Sequence, residues 1–135
     1  MKKEEIITLI QENNSSDKGI FPIVDVSKYV DKILSNAVVI PFYESFLKGI
    51  VAFYANDERK ENAFLSLILV APKAQGQAIG NQLLDFSIQI VRQKGFKNYL
   101  LEVLKSNERA IKLYQKKGFK IVGEREVFFI MNLSL

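Results

Sequence analysis

Val70–Leu84, VAPKAQGQAIGNQLL, is the stretch on which the reading of this chain turns. Before it, Ala63–Val70 is apolar and reads as a strand closed by Pro72. After it, Ile79, Leu83, Phe86 and Ile90 recur at spacings of four, three and four, an apolar stripe on a helix running to about Lys94. Gly95 is placed as its C′ residue. Between strand and helix, Gln75-Gly76-Gln77-Ala78-Ile79-Gly80 forms a loop of small and polar residues that ends on free helix amides. Those amides and the helix dipole favour an anion, and small side chains let a phosphate approach the backbone. The same glycines also suit a plain tight turn. No Gly-Lys-Ser/Thr follows to make a Walker loop, and the three-glycine dinucleotide fingerprint is absent.

Towards the N-terminus, Ile6, Ile7, Leu9 and Ile10 predict a helix halted at Asn13-Asn14-Ser15-Ser16. A second helix is predicted from about Val26 to Leu34, capped by Asp25. Ala37–Tyr43, Leu47–Tyr54 and Ala63–Val70 then predict three strands in an antiparallel meander. Towards the C-terminus come a strand at Tyr99–Leu104 and a capped helix from Asn107 to Lys117 that ends at Gly118. Lys120–Val122 and Val127–Leu133 predict two last strands joined around Gly123–Glu126. The predicted order is αα-βββ-α-β-α-ββ, a mixed α/β fold with a central, mostly antiparallel sheet and helices on both faces. At 135 residues, the whole of 1–135 is expected to be a single domain.

Composition narrows the chemistry. Apolar residues make up 48% and charged residues 25%, close to globular averages. There is no His, Cys or Trp, which removes disulfides, Cys/His zinc sites, thiol nucleophiles and imidazole catalysis. Carboxylates, Tyr, Lys, hydroxyls and backbone amides must carry any reaction. Residues 1–70 hold eight Lys/Arg against ten Asp/Glu, whereas residues 71–135 hold eleven against five. A phosphate-bearing ligand, a nucleic acid or a merely solvated basic face would each account for that basic half. The Lys residues lie on two helices without interleaved aromatics, so no nucleic-acid partner is expected. No signal core and no apolar run of membrane length occurs, so a soluble, cytoplasmic protein without a membrane partner is expected.

A second segment, Leu101–Phe119, reads LEVLKSNERAIKLYQKKGF. Asn107, Ala110 and Tyr114 fall at i, i+3 and i+7 on one helix face. A Tyr there suits either the core, with its hydroxyl satisfied, or a site. Glu102 is the odd residue of YLLEVL. Either it is partly desolvated, which would raise its pKa towards a general base's range, or it faces an edge or bonds backbone amides where strands part.

Together the two segments resemble the GCN5-related N-acetyltransferase (GNAT) superfamily. The first supplies Val70, Pro72, Gln75, Gly76, Ala78, Ile79, Gly80, Leu83 and Leu84 of its pattern. The second supplies Leu101, Glu102, Val103, Asn107, Ala110, Tyr114, Gly118 and Phe119. The resemblance implies direct acetyl transfer from acetyl-CoA to a primary amine, with no metal. Ile68, Leu69 and Val70 would pair with the pantetheine arm as an added strand, and amides around Leu69 and Val70 would stabilise the oxyanion. The amides of Gly76, Gln77, Ala78, Ile79, Gly80 and Asn81, with Gln75 at the loop's start, would hold the pyrophosphate. Asn107 would reach the cofactor arm, and Tyr114 would sit near the sulfur as general acid. Glu102 matches the general base of the ribosomal-protein alanine acetyltransferase branch, including its twelve-residue spacing to Tyr114.

Two departures stand out. Ala78 occupies a position that is Gly in the family's core pattern; it is expected to tolerate helical angles, with its methyl near the phosphate. The chain also begins in a helix, where many relatives begin with a strand. On the acceptor side, YVDKILSNAVVI (29–40) and IVAFYAND (50–57) look loosely similar to acetyltransferases of nucleotide-linked amino sugars in bacterial surface-polysaccharide pathways. Tyr29, Tyr54, Asn56 and Asp57 are the candidate acceptor contacts, and a small-molecule amine is the expected acceptor. The rival readings are a protein N-terminal acetyltransferase and a non-catalytic acyl-CoA-binding module, with a monomer or homodimer expected in each case.

Overall fold

Buried residues alternate with half-buried or exposed ones along Asn62–Val70 and Asn98–Leu104, the period-two pattern of strands. The computed structural model describes residues 3–14 and 25–135. The elements are α1 (Lys3–Asn14), α2 (Val26–Asn36), β1 (Val38–Glu44), β2 (Phe46–Tyr54), β3 (Asn62–Val70), α3 (Ile79–Gln93), β4 (Asn98–Leu104), α4 (Glu108–Lys116), β5 (Lys120–Arg125) and β6 (Phe128–Ser134), with a 3-10 turn at Pro72–Ala74. The order matches the sequence expectation. Asp25 caps α2 through the Lys28 amide, and Asn107 caps α4 through the Ala110 amide. Ser15 and Ser16, part of the expected stop of the first helix, lie outside the described residues.

The six strands form one sheet in the order β1-β2-β3-β4-β6-β5. All neighbours are antiparallel except β3 and β4, which are parallel and joined by the α3 crossover. That parallel ladder is short. It pairs Asn62 with Asn98 and ends at Leu65 opposite Leu101. Beyond that point β3 stays on β2 and β4 stays on β6, so the sheet opens into a notch between Ser66–Val70 and Glu102–Leu104.

Side-chain alternation assigns the faces. Tyr99 shares a face with Ala63, its register partner, and its hydroxyl donates to Ser87 of α3 at 3.0 Å. The Tyr99 ring also packs on Phe119 just after α4, at 5.9 Å. Ser66, on the opposite face, meets Tyr29 of α2. Helices therefore lie on both faces, with α2 on one and α3 on the other. Gly49 of β2 lets α3 seat closely, since a Cβ there would come within 2.9 Å of Ile79 and 3.1 Å of Leu83.

One local expectation needs correction and another is sharpened. Phe86 is 53% exposed, and the buried face of α3 is Ile79, Leu83, Leu84, Ser87, Ile88 and Val91. The final hairpin turns at Glu126–Val127, at the far end of the expected Gly123–Glu126 joint, because Gly123, Glu124 and Arg125 continue β5 against β6.

Candidate active site

The exposed edge of β3 follows from the phase of its ladder with β2. The Ala71 amide donates to the Lys48 carbonyl at 2.7 Å, and Leu69, Ile68 and Leu67 face Ile50, Val51 and Ala52. Bonded and non-bonded pairs alternate along an antiparallel ladder, so Leu67, Leu69 and Ala71 turn their polar groups towards β2. Ile68 and Val70 turn theirs towards the notch, and Asn13 Nδ2 donating to the Val70 carbonyl at 3.3 Å agrees with this phase. Ser66 falls at a bulge, where the register passes from Ala52–Leu67 to Phe53–Leu65, and its carbonyl accepts from Tyr29 Oη at 3.2 Å. Among the described residues, the amides of Ile68 and Val70 and the Ile68 carbonyl remain without a strand partner, since β4 has already diverged. Leu69 was expected to supply an amide to an oxyanion; its amide points to Ile50 instead, so that part of the expectation is corrected.

The loop after β3 leads directly into a helix N-terminus. Gly76 has φ +88° with open space on its Cβ side. Ala78 is the N-cap of α3 at φ +60°, ψ +21°, and no side chain caps the helix there. The expectation of helical angles at Ala78 is therefore wrong. Its conformation is left-handed, which a Cβ disfavours by about 1–2 kcal/mol. The amides of Ile79, Gly80 and Asn81 are the orphan donors of the first turn, and no acidic residue lies in that turn. A Cβ at Gly80 would meet Val70 at 3.4 Å, an ordinary contact, so the packing of α3 on β3 does not by itself demand a glycine there. Gln75 and Gln77 are exposed in the same loop.

Asn107 uses Oδ1 on the Ala110 amide at 3.2 Å, which leaves its Nδ2 as the group able to reach a ligand. Tyr114 is only 7% exposed, with its ring edge-on to Phe119 at 5.7 Å. Burial pushes its phenol up to about 12. Among the described residues no hydrogen bond holds its hydroxyl, whereas that of Tyr99, also raised by burial, is held by Ser87.

Glu102 is the first residue of β4 past the end of the parallel ladder. Alternation puts it on the face of Ser66 and Tyr29, opposite the face of Tyr99, whose ring packs on Phe119 beside Tyr114. Glu102 is partly buried. Its side chain is 27% exposed and is gripped by Arg125, with Nε to Oε1 at 3.1 Å and Nη2 to Oε2 at 2.8 Å. Arg125 was missed by sequence reasoning. Only the strand order β4-β6-β5 brings it near Glu102, and no local motif signals that.

The candidate acceptor contacts divide. Tyr29 lies at the notch, with its hydroxyl 2.7 Å from Ser66 Oγ and its phenol raised by burial. Tyr54, half-buried, sits opposite Phe64 towards the closed end of the sheet. Asn56 and Asp57 belong to the β2–β3 turn at that closed end, far along the strands from the notch. Asn56 donates to the Asn36 carbonyl, and Asp57 accepts from the amides of Arg59, Glu61 and Asn62. Those bonds, led by the one from Asn62, hold the Asp57 carboxyl below its ordinary range. Both are turn residues, which corrects their assignment as acceptor contacts. A separate cavity of about 300 Å³ opens between α1 and the start of β2, lined by Glu4, Glu5, Thr8, Leu9, Glu12, Phe46, Leu47, Ala71 and Lys73. It borders the end of β3 but not Glu102 or Tyr114. Among the described residues, no helix is long and apolar enough to cross a membrane, and no cluster of acidic residues is placed to hold a metal ion.

A split parallel pair followed by an amide-bearing loop is the arrangement of one class of protein, and comparison with known proteins agrees. The acetyltransferase (GNAT) family profile matches residues 41–119, and the chain belongs to that family. It is 39% identical over 72 residues to the probable N-acetyltransferase camello of Xenopus laevis, covering 53% of this chain and 33% of that protein. It is 30% identical over 78 residues to thialysine N-epsilon-acetyltransferase of Sus scrofa, covering 58% and 46%. The chain thus spans a third to about half the length of these curated relatives. The crystal structure of PaiA N-acetyltransferase from Thermoplasma acidophilum in complex with coenzyme A has the same fold, with a TM-score of 0.78 at 21% identity over 98% of this chain and 92% of that one.

Proposed function

We propose that residues 1–135 act as a single N-acetyltransferase domain that moves an acetyl group directly from acetyl-CoA to a small-molecule primary amine. The observation that carries this reading is the notch: a strand edge at Ile68 and Val70 left unpaired among the described residues, continuous with the first-turn amides of Ile79–Asn81. An amide-rich arm ending in a pyrophosphate fits both halves, by strand addition along β3 and by anion binding at the start of α3. Family membership and the coenzyme A bound to the PaiA neighbour support the same ligand. A small-molecule acceptor is supported by the name of the thialysine relative. The nucleotide-linked amino sugar stands as a finer assignment within that class.

The residues divide the work as follows. Val70 or Ile68 offers the amide that steadies the developing oxyanion, since Leu69 is engaged by β2. Glu102 receives one proton from the acceptor ammonium, directly or through water. The N–C bond then forms and the C–S bond breaks. Tyr114, a phenol protonated at neutral pH, hands its proton to the leaving thiolate. The second proton shed by the nitrogen restores it.

The test is a thiol-release assay with acetyl-CoA over a panel of amines, including a nucleotide-linked amino sugar, with the product identified by mass. Amine-dependent release with an acetylated product is expected. Raised thermal stability with acetyl-CoA but no release with any amine would assign the domain to acyl-CoA binding instead.

A further inference from the structure

Arg125 grips both carboxylate oxygens of Glu102 side-on, through Nε and Nη2. The pair is open to water, with Arg125 60% and Glu102 27% exposed, and a pair this open contributes little to stability. Its position is more informative than its strength. In parallel register Ser66 would stand opposite Glu102, one step past the last pair, so the Tyr29–Ser66 contact and the Glu102–Arg125 pair form the two lips of the notch on one face.

An acceptor ammonium that approaches Glu102 therefore meets a fixed guanidinium beside the same carboxylate. Two cations at one carboxylate repel each other, so a simple or polycationic amine is penalised there. The guanidinium has five donors in a planar fork. Glu102 uses the Nε–Nη2 edge, and among the described residues no hydrogen bond uses Nη1. The Nη1–Nη2 edge is thus left to match a planar carboxylate or a phosphate. An acceptor with its own anion would neutralise Arg125 while presenting its ammonium to Glu102.

We infer that Arg125 selects the acceptor: the free edge of its guanidinium binds a carboxylate or phosphate carried by the amine that Glu102 deprotonates. The preferred acceptors are anion-bearing amines, such as amino acids or phosphorylated amino sugars. The inference rests on the acetyl-transfer reading above, and it adds a substrate class that the family resemblance leaves open.

Matched pairs of acceptors that differ only in the anion test it: lysine against lysinamide, and glucosamine 6-phosphate against glucosamine. Each is measured with the wild type, Arg125→Gln and Arg125→Lys. For the wild type, kcat/KM is expected to favour the anionic member of at least one pair by about tenfold or more, the scale of a charge-assisted bidentate contact. Arg125→Gln should bring that ratio towards one, chiefly through KM, and Arg125→Lys should recover part of it. The pair that responds identifies carboxylate or phosphate as the anion. A wild-type ratio near one in both pairs overturns the inference. So does a ratio that Arg125→Gln leaves intact while lowering kcat for both members alike, which is the behaviour of a residue that only positions Glu102. Acetylation of no amine at all by the wild type refutes the acetyl-transfer reading first, and the inference with it.

Discussion

The two ends of the β3–β4 ladder are made by the same strands, yet they treat polar groups in opposite ways. At the closed end, Asn62–Leu65 pairs with Asn98–Leu101, Asp57 collects three backbone amides in the adjoining turn, and the Tyr99 hydroxyl is spent on Ser87. At the open end, among the described residues, no strand pairs with the Ile68 and Val70 amides and no side chain caps the first turn of α3; nor does any hydrogen bond hold the Tyr114 hydroxyl on α4. Burial alone does not separate the two tyrosines, since both rings sit in the core around Phe119. What separates them is whether the hydroxyl is already used. Among the described residues, the open end keeps donors free of protein partners, where a ligand can take them.

The two tyrosines offer the largest expected effect. Tyr114→Phe keeps the packing and removes the donor, so the transfer rate should fall by about 10²–10⁴-fold, the usual worth of a positioned acid. Coenzyme A affinity and melting temperature should change little. Tyr99→Phe should do the reverse, costing about 1 kcal/mol of stability through the lost Ser87 bond and leaving turnover near normal. Chemical denaturation and steady-state rates on both variants, measured where chemistry is limiting, check this; equal effects on rate would erase the contrast.

Alkaline titration sharpens it. The Tyr114 phenol is raised from its ordinary value of 10.0 to about 12, so the folded state holds that proton more tightly than the unfolded chain. The stability it contributes is complete below about pH 10 and is lost as pH rises towards 12. Thermal melts from pH 9 to 12 should therefore fall less steeply for Tyr114→Phe than for the wild type. Across neutral pH the acid stays protonated, so its titration should leave no limb in the rate profile there.

The smallest effect belongs to the loop. Ala78 holds φ +60° at the start of α3, and Ala78→Gly relieves that strain. The net gain should be up to about 1 kcal/mol in folding free energy, after the added chain entropy of Gly is counted. Urea denaturation gives the sign directly. A loss of stability would mean that entropy, not strain, dominates at this position.

The open end was also the more legible in the sequence, because its geometry is local. The Pro72 stop, the small loop and the helix start lie within fifteen residues, and Asn107 and Gly118 punctuate α4 in the same way. The rest depended on pairings between distant segments. Nothing local told which end of the sheet Asn56 and Asp57 would occupy, nor that β6 would insert between β4 and β5 and leave Arg125, at the end of β5, within reach of Glu102. Phe86 completed a plausible stripe, while the true core face of α3 was disguised by Ser87, a polar residue buried to hold Tyr99. The left-handed Ala78 was hidden because Ala carries no signature of positive φ.

The central claim is that the edge of β3 beyond Leu65 is a docking strand for the acyl donor. Residue-resolved amide hydrogen exchange, with and without coenzyme A, tests it most directly. Leu67 and Leu69, already bonded to β2, should be slow in both states. Ile68 and Val70 should exchange measurably faster in the free protein and become markedly protected when coenzyme A is bound, together with Ile79, Gly80 and Asn81. Coenzyme A that binds and protects the α3 amides while leaving Ile68 and Val70 unchanged would contradict strand addition at the notch.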